Sequence, residues 1–485
     1  MRKFTLGLFV LISSALSAQI ISYEKIDSFT ISELEDILAD AEAPSGLIQL
    51  EYEVDYYRVI YLTPYKHPDS LVQASAGLAI PRNTDCPVPI ASYAHGTTAK
   101  QLKGASTKAG GQWEIGSIFA ATGYAVAMPD YIGLGIADPK VVIHPYQHAF
   151  SQGNTSLNMI RATEEILNEL EIGFNEQLFL FGYSQGGYAV AATQRLIEEE
   201  YPDEYTVTAA APMSGAYDMA GAQVDLMASD SVYPTPGYLP YIILAYQDQY
   251  GTLYDSVSQI LKPPYDSLMP ALFYSKDYSI GYINNQSTPV PKHMVMDSTV
   301  TNFTNNPNHP LRVLLEENEM LNWTPQGSVK LYYCTGDDQV SYVNSERAYD
   351  SWTANGAPDV TKQDFGNLNH NDCAQLCFIS AKSFFDGKKT DCNTTDVSEI
   401  PLSGKFELFP NPASELVIVK TEQDYTGESG KIMIFDALGK VHFEKEMSSE
   451  KEQMLIDISN LAPGYYVVSW VREASRTNKQ LVISK

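Results

Sequence analysis

The sequence predicts an α/β fold, a mostly parallel sheet flanked by helices and carrying an inserted cap, followed by a small all-β sandwich. Three observations predict it. Short apolar runs alternate with helical stretches from residue 88 onward, the alternation breaks between about 218 and 328 and then resumes, and residues 405–485 hold only short strands between turn signals.

Residues 1–18 read as a cleavable secretory signal. Met1-Arg2-Lys3 precedes an apolar run over 4–16, and Ser17-Ala18-Gln19 supplies the small residues of a cleavage site. The run is shorter than the roughly 20 residues needed to span a bilayer, and no later segment is longer and as apolar, so the mature protein is expected to be soluble after export. Residues 49–62 and 70–80 alternate apolar and polar side chains, as in Val54, Tyr56 and Val72, Ala74, Ala76, and predict two antiparallel edge strands. The buried strands follow at 88–94, 124–128, 177–182, 206–212 and 329–334. Helices are expected near 111–121, 155–171 and 186–200, the second with Leu157, Ile160, Ile166, Leu167 and Leu170 at helical spacing. The stretch 218–328, rich in Pro and Tyr, is too long for a connection inside a compact unit and reads as a cap over the carboxyl ends of the strands. Tyr238, Tyr241, Tyr246 and Phe273 are candidates there for a hydrophobic trough or for the cap's own core. A further strand near 360–366 and a helix near 373–386 close a unit spanning 19–388. The polar residues 389–404 read as a linker.

The 485 residues exceed the roughly 250–300 at which a single core stops growing, in keeping with more than one unit. Apolar residues make up 44% and charged residues 19%, a globular composition. With 59 acidic and 32 basic residues the formal charge is −27, which repels phosphate backbones and sets nucleic acid aside as a partner. Five cysteines, Cys86, Cys334, Cys373, Cys377 and Cys392, enter an oxidising route, and the odd count leaves at least one thiol unpaired. Their spacing lacks a paired zinc pattern, so no metal is expected. A Cys334–Cys373 bridge would tie together the two loops singled out below.

Ser184 stands in Gly182-Tyr183-Ser184-Gln185-Gly186-Gly187, between an apolar strand and an Ala-rich helix. This is the context a G-x-S-x-G nucleophile requires, with glycines admitting a sharp turn and leaving its sides uncrowded. A serine hydroxyl attacks only when a base takes its proton, so a histidine and an orienting carboxylate are needed, and in this arrangement they follow in the order Ser, acid, His. After the strand at 329–334, Thr335-Gly336-Asp337-Asp338 places two carboxylates at a strand's carboxyl end. Asp337 directly follows the turn glycine and is taken as the acid. Asp338 is the alternative, otherwise solvated or capping the helix that starts near Asn344. Of the eight histidines only His370 and His442 come after the acid, and His442 lies in the tail, which leaves His370, expected on a polar loop. An attacked carbonyl also needs N–H donors for its oxygen. These are expected from the backbone of Gln185 and from Gly96 or Thr97 in the loop Tyr93-Ala94-His95-Gly96-Thr97-Thr98, with His95 ordering that loop. The loop Met128 to Gly135 lacks nucleotide-binding glycine spacing and is expected to shape the pocket wall. Tyr131, Tyr183 and His144 are the candidate substrate-binding residues.

Ser92-Tyr93-Ala94-His95-Gly96-Thr97, Pro129-Asp130-Tyr131-Ile132-Gly133-Leu134-Gly135 and Gly182 to Gly187 together resemble the α/β-hydrolase superfamily, and within it the secreted lipase and esterase group, over roughly residues 50–388. The spacing from Asp337 to Val340 matches that group's acid loop, which here reads Val340-Ser341-Tyr342 in place of Val-Pro-Tyr. The resemblance implies cleavage of small-molecule or lipid esters through an acyl-enzyme, with no cofactor. The tail, with Leu408-Phe409-Pro410-Asn411-Pro412-Ala413, Ile434 to Lys440 and Leu461-Ala462-Pro463-Gly464-Tyr465-Tyr466, is similar to the C-terminal sorting domain of type IX secretion cargo. That likeness implies passage through the periplasm, handling by the type IX machinery, and release or retention at the cell surface. A serine peptidase acting on small peptides and a non-catalytic surface binder are the other readings.

Overall fold

The computed structural model describes residues 19–41, 48–390, 406–421, 430–436, 440–447, 453–472 and 475–484. The expected signal at 1–18 and nearly all of the expected linker at 389–404 lie outside them. The chain divides into two compact units, one of residues up to Leu34 with Leu50–Thr390, the other of Glu35–Gln49 with Asp391–Lys485.

In chain order the elements up to the first crossover are β1 (Ile20–Phe29), α1 (Ile31–Asp40), β2 (Val54–Tyr65), β3 (His67–Pro81), β4 (Val88–Ala94), α2 (Gln112–Ala120) and β5 (Ala125–Pro129). Next come α3 (Ala149–Glu169), β6 (Phe174–Tyr183), α4 (Gln185–Glu200) and β7 (Val207–Met213). They join one nine-stranded sheet in the order β1-β2-β3-β5-β4-β6-β7, then β8 (Ser328–Tyr333) and β9 (Val360–Asp364). From β5 to β9 all neighbours are parallel, while β1, β2 and β3 pair antiparallel at one edge. The expected two-stranded edge thus gains a third strand. Ile20–Phe29 carries Glu24, Lys25 and Asp27, a charged pattern typical of an outermost strand and one that hides the apolar alternation by which a strand is recognised.

The central strand shows how the two faces are filled. Leu178 and Leu180 of β6 join the core of Leu157, Ile160 and Ile197 from α3 and α4. Phe179 and Phe181 point the other way, where Phe181 stacks on Phe119 at 4.2 Å and both rings meet Phe385.

Between β7 and β8 the cap consists of α5 (Ala222–Met227), α6 (Tyr238–Tyr250), α7 (Tyr265–Ser275), α8 (Ile280–Asn285), α9 (Asp297–Asn305) and α10 (Pro310–Glu317). Its tyrosines fasten it to the loops at the carboxyl ends of the sheet. Tyr241 Oη donates to Thr98 O at 3.1 Å, Tyr246 Oη to Gln147 O at 2.8 Å and Tyr233 Oη to Gln339 O at 2.7 Å. After β8 come α11 (Val343–Ala354) and, beyond β9, α12 (His370–Asp386).

The second unit carries β10 (Phe406–Phe409), β11 (Leu416–Thr421), β12 (Gly430–Asp436), β13 (Val441–Met447), β14 (Gln453–Asp457), β15 (Gly464–Arg472) and β16 (Ser475–Ile483). They form antiparallel sheets β10-β11-β14 and β13-β12-β15-β16. Val417, Val419 and Ile456 of one sheet share a core with Ile434, Val468 and Trp470 of the other, as a sandwich requires.

Candidate active site

Ser184 is the single residue between β6 and α4, and it holds a strained conformation, φ 62° and ψ −120°. Its N–H donates to Met213 O at the end of β7 (2.9 Å), and its own carbonyl accepts from Tyr188 N (3.3 Å). The glycines beside it are fixed by close approach. A Cβ on Gly186 would lie 1.9 Å from Ala94 O, and one on Gly187 would lie 2.3 Å from Met213 O. Any side chain at either position would push β4 or β7 away from the turn.

The two carboxylates after β8 divide their work. Asp337 Oδ1 accepts from Gln339 N (2.9 Å) and Val340 N (2.8 Å), which leaves Oδ2 to meet His370 Nδ1 at 2.7 Å. Both side chains are buried, 1% exposed for Asp337 and 6% for His370. Asp338 Oδ1 accepts instead from the backbone N–H of His370 at 3.2 Å. Asp338 is exposed, one of its two expected places, and its carboxylate holds the N–H of the first residue of α12 and not the helix near Asn344. His370 itself is the first residue of α12 and not a loop residue. Asn369 begins that helix by accepting from Asn371 N and Asp372 N, both at 3.0 Å.

A Cys334–Cys373 disulfide joins the residue after β8 to the first turn of α12, so the segments bearing Asp337 and His370 are covalently linked. Cys377 is a buried free thiol, its sulfur 3.7 Å from that of Cys373. Tyr183, next to Ser184, donates from Oη to His370 O at 2.6 Å and holds its ring 4.8 Å from the imidazole. His370 is thereby braced against the turn that carries Ser184.

Gly96 lies across from the same turn, since a Cβ there would stand 3.9 Å from Ser184 Cβ. Gln185 is the first residue of α4, whose opening N–H groups lack partners one turn back. His95 orders the loop. Its Nδ1 is 2.7 Å from Gly96 O, its Nε2 is 3.2 Å from Asp130 O, and burial pushes its pKa down. Asp130, its carboxyl raised by burial, takes Ser75 Oγ at 2.6 Å and Ser106 N at 3.1 Å. Thr97 Oγ1 lies 3.2 Å from Tyr146 Oη.

A narrow cavity of about 100 Å³ opens from Ser184 into the cap. Ala216 and Val340 border it from the sheet side, and Ile242, Ile243, Val300 and Phe303 from the cap. The three expected substrate-binding residues are not among those that line it, and each has its polar tip engaged by the scaffold. Tyr131 Oη donates to His95 O at 2.9 Å, and Tyr183 is committed to His370. His144 Nδ1 is 2.9 Å from Ile132 O and its Nε2 accepts from the Gln185 amide at 2.7 Å, with burial lowering its pKa to about 3 and keeping it neutral. Of the expected trough aromatics only Tyr238 reaches the cavity; Tyr241, Tyr246 and Phe273 form cap core, with Tyr241 stacked on Phe273 at 4.4 Å. The aliphatic lining went unread in the sequence because isolated Ile and Val residues on short helices carry no motif. Among the described residues no cluster of three or more His, Cys, Asp or Glu suits a metal ion, and no helix is long and apolar enough to cross a membrane.

Comparison with known proteins agrees with this architecture. Residues 104–389 match the secretory lipase family, and residues 407–484 match the secretion system C-terminal sorting domain. Among solved structures, a ligand-bound form of the rice cell wall degrading esterase LipA from Xanthomonas oryzae is similar at 26% identity and a TM-score of 0.70, over 76% of this chain and 99% of that one. Candida antarctica lipase A in its closed state shares the fold at 16% identity and a TM-score of 0.57, over 77% of this chain and 83% of that one. No curated protein sequence matches the chain.

Proposed function

Since the chain belongs to the secretory lipase family and is a secreted or cell-surface carboxylic ester hydrolase with an α/β-hydrolase fold, we propose that it works through an acyl-enzyme on Ser184. His370 takes the proton from Ser184 Oγ as the hydroxyl attacks the acyl carbon, then passes it to the departing alcohol. Asp337 fixes the imidazole tautomer, with Nδ1–H on its carboxylate and Nε2 left as the base. The N–H groups of Gln185 and of Gly96 or Thr97 meet the oxygen that gains charge. Water, activated by the same histidine, then releases the acid.

The observation that carries this reading is the 2.7 Å contact between the buried Asp337 and His370, braced through Tyr183 against a strained Ser184. The cavity adds the substrate side. Its largely apolar walls suit an acyl chain, and among the described residues its lining holds no carboxylate that would receive a peptide's amino terminus. The one charged lining group, Lys292, is paired with Asp230 at 2.7 Å. On this reading the tail hands the folded enzyme to the type IX secretion machinery and is removed afterwards.

The test is hydrolysis of a chromogenic acyl-ester series from acetate to palmitate by the signal-free protein beside Ser184→Ala. Turnover that disappears in the variant is the expected result. Turnover that survives it would remove Ser184 from the mechanism.

A further inference from the structure

Most polar side chains that line the cavity are already engaged by the protein. Gln223 donates from Nε2 to Gln339 O (3.2 Å) and accepts at Oε1 from Asn344 (3.3 Å). Thr299 donates to Gln259 O, Thr304 to Val300 O and Tyr238 to Gln339 Oε1, and Tyr146 Oη meets Thr97 Oγ1. Gln147 is different. It lines the cavity, it is 6% exposed, and although its amide meets the Tyr146 hydroxyl, its Oε1 is buried with no hydrogen-bond partner among the described residues. A buried acceptor left in this state is costly, and an apolar residue of the same shape would remove the cost.

Gln147 is also held firmly in place. Its backbone adopts φ +52°, its carbonyl accepts from Tyr246 Oη at 2.8 Å, and its neighbour Tyr146 lies flat on Tyr241 at 4.4 Å. Tyr146 Oη touches Thr97, in the loop that faces Ser184, which puts the adjoining Gln147 toward the Ser184 end of the cavity.

We propose that Gln147 Oε1 accepts a hydrogen bond from a hydroxyl group carried by the substrate close to its scissile ester, and that the enzyme thereby favours hydroxylated esters over plain ones. This rests on the ester-hydrolase reading of Ser184 and deepens it. An unpartnered acceptor among apolar walls and already engaged polar groups selects for a donor, and a site built to hydrogen-bond a hydroxyl penalises the analogue that lacks one. The hydroxyl can come from the early carbons of the acyl chain or from the alcohol, as in a partial glyceride.

The experiment measures kcat/KM for two matched pairs, a 3-hydroxyoctanoate against an octanoate nitrophenyl ester and monooctanoylglycerol against methyl octanoate. The wild type is compared with Gln147→Met and Gln147→Glu. In Gln147→Met the hydroxylated-to-plain ratio should fall about fivefold or more in at least one pair, as the loss of one hydrogen bond predicts. Gln147→Glu keeps an oxygen at the same reach, is neutralised by burial, and should retain the ratio. A fall confined to the acyl pair assigns the hydroxyl to the acid, and one confined to the glyceride pair assigns it to the alcohol. The Tm of Gln147→Met should stay level or rise, which shows that the protein is folded when the ratio is read. Ratios unchanged within twofold in both pairs would overturn the role of Gln147. Failure of the wild type on all four esters would instead overturn the underlying reading of Ser184.

Discussion

Asp338 receives the backbone N–H of His370 while its neighbour Asp337 receives the same residue's imidazole, so two adjacent carboxylates hold one histidine by two different groups. The chemistry of the two bonds differs. In the proposed mechanism the imidazole bond sets the tautomer and steadies the charge that forms when Ser184 loses its proton, whereas the backbone bond only positions the start of α12.

Asp337→Asn should therefore lower kcat roughly 10³- to 10⁴-fold with the fold intact, because an amide can present its N–H to Nδ1 and fix the wrong tautomer. Asp338→Asn should cost less than about tenfold, because an amide oxygen can still accept the His370 N–H. Steady-state kinetics on one soluble ester, with circular dichroism as a folding control, distinguishes them. Equal losses would mean that both aspartates act through position alone.

The disulfide makes a separable prediction. Cys334 and Cys373 are 39 residues apart in sequence and flank both Asp337 and His370. Cys334→Ser with Cys373→Ser should cost about 3–4 kcal/mol of stability by the loop-entropy argument. Activity should fall at temperatures below the new Tm, since the cross-link joins the two segments that must stay in register. Calorimetry beside an activity–temperature curve checks this. Activity that tracks global unfolding would show that the bridge supports the whole unit and not the site.

How much of this was legible in the sequence depends on how local the cause is. The strand–turn–helix around Ser184 could be read because its glycines answer to contacts within a few residues of the motif. Choosing between Asp337 and Asp338 could not be completed, since both stand at the same strand end and only the place of α12 decides which one meets a side chain. His370 was expected on a loop because Asn369, Asn371 and Asp372 look like loop residues, yet Asn369 is the cap that starts a helix. The cap's six helices run from 6 to 13 residues and are interrupted by Pro and Gly, too short for helical periodicity to accumulate. A sequence also does not show that the hydroxyls of Tyr131 and Tyr183 are engaged by backbone carbonyls, of His95 and His370 respectively.

Two buried histidines should shape the stability profile in acid. Burial lowers His144 from the ordinary 6.5 to about 3 and His148 from 6.5 to about 4. The unfolded chain takes up these protons near pH 6.5, but the folded protein refuses them until far lower. Unfolding therefore absorbs protons in this window, and the stability present above about pH 6.5 is lost as pH falls toward 4. His148→Gln should flatten that part of the curve of Tm against pH. Parallel curves for wild type and variant would show that other groups set the slope.

The cavity predicts how chain length is chosen. Ala216 lies just past β7, whose Met213 carbonyl holds the Ser184 N–H, and so borders the Ser184 end. Val300 and Phe303 enter from α9 in the cap, and both are only half-buried, so a larger ring at 300 can be taken up without the full cost of overpacking a core. Val300→Trp should then block the far end alone, sparing acetate and butyrate esters while lowering kcat/KM on palmitate at least tenfold. Ala216→Phe should instead depress every ester, because each acyl group must pass that point. Phe303→Ala should act in the opposite direction to Val300→Trp and raise the ratio of long- to short-chain turnover. Measured over a single ester series, the three variants separate a tunnel read end-on from a shapeless apolar wall. A tunnel gives length-dependent effects at α9 and uniform ones at Ala216, whereas the wall would give the same profile in all three.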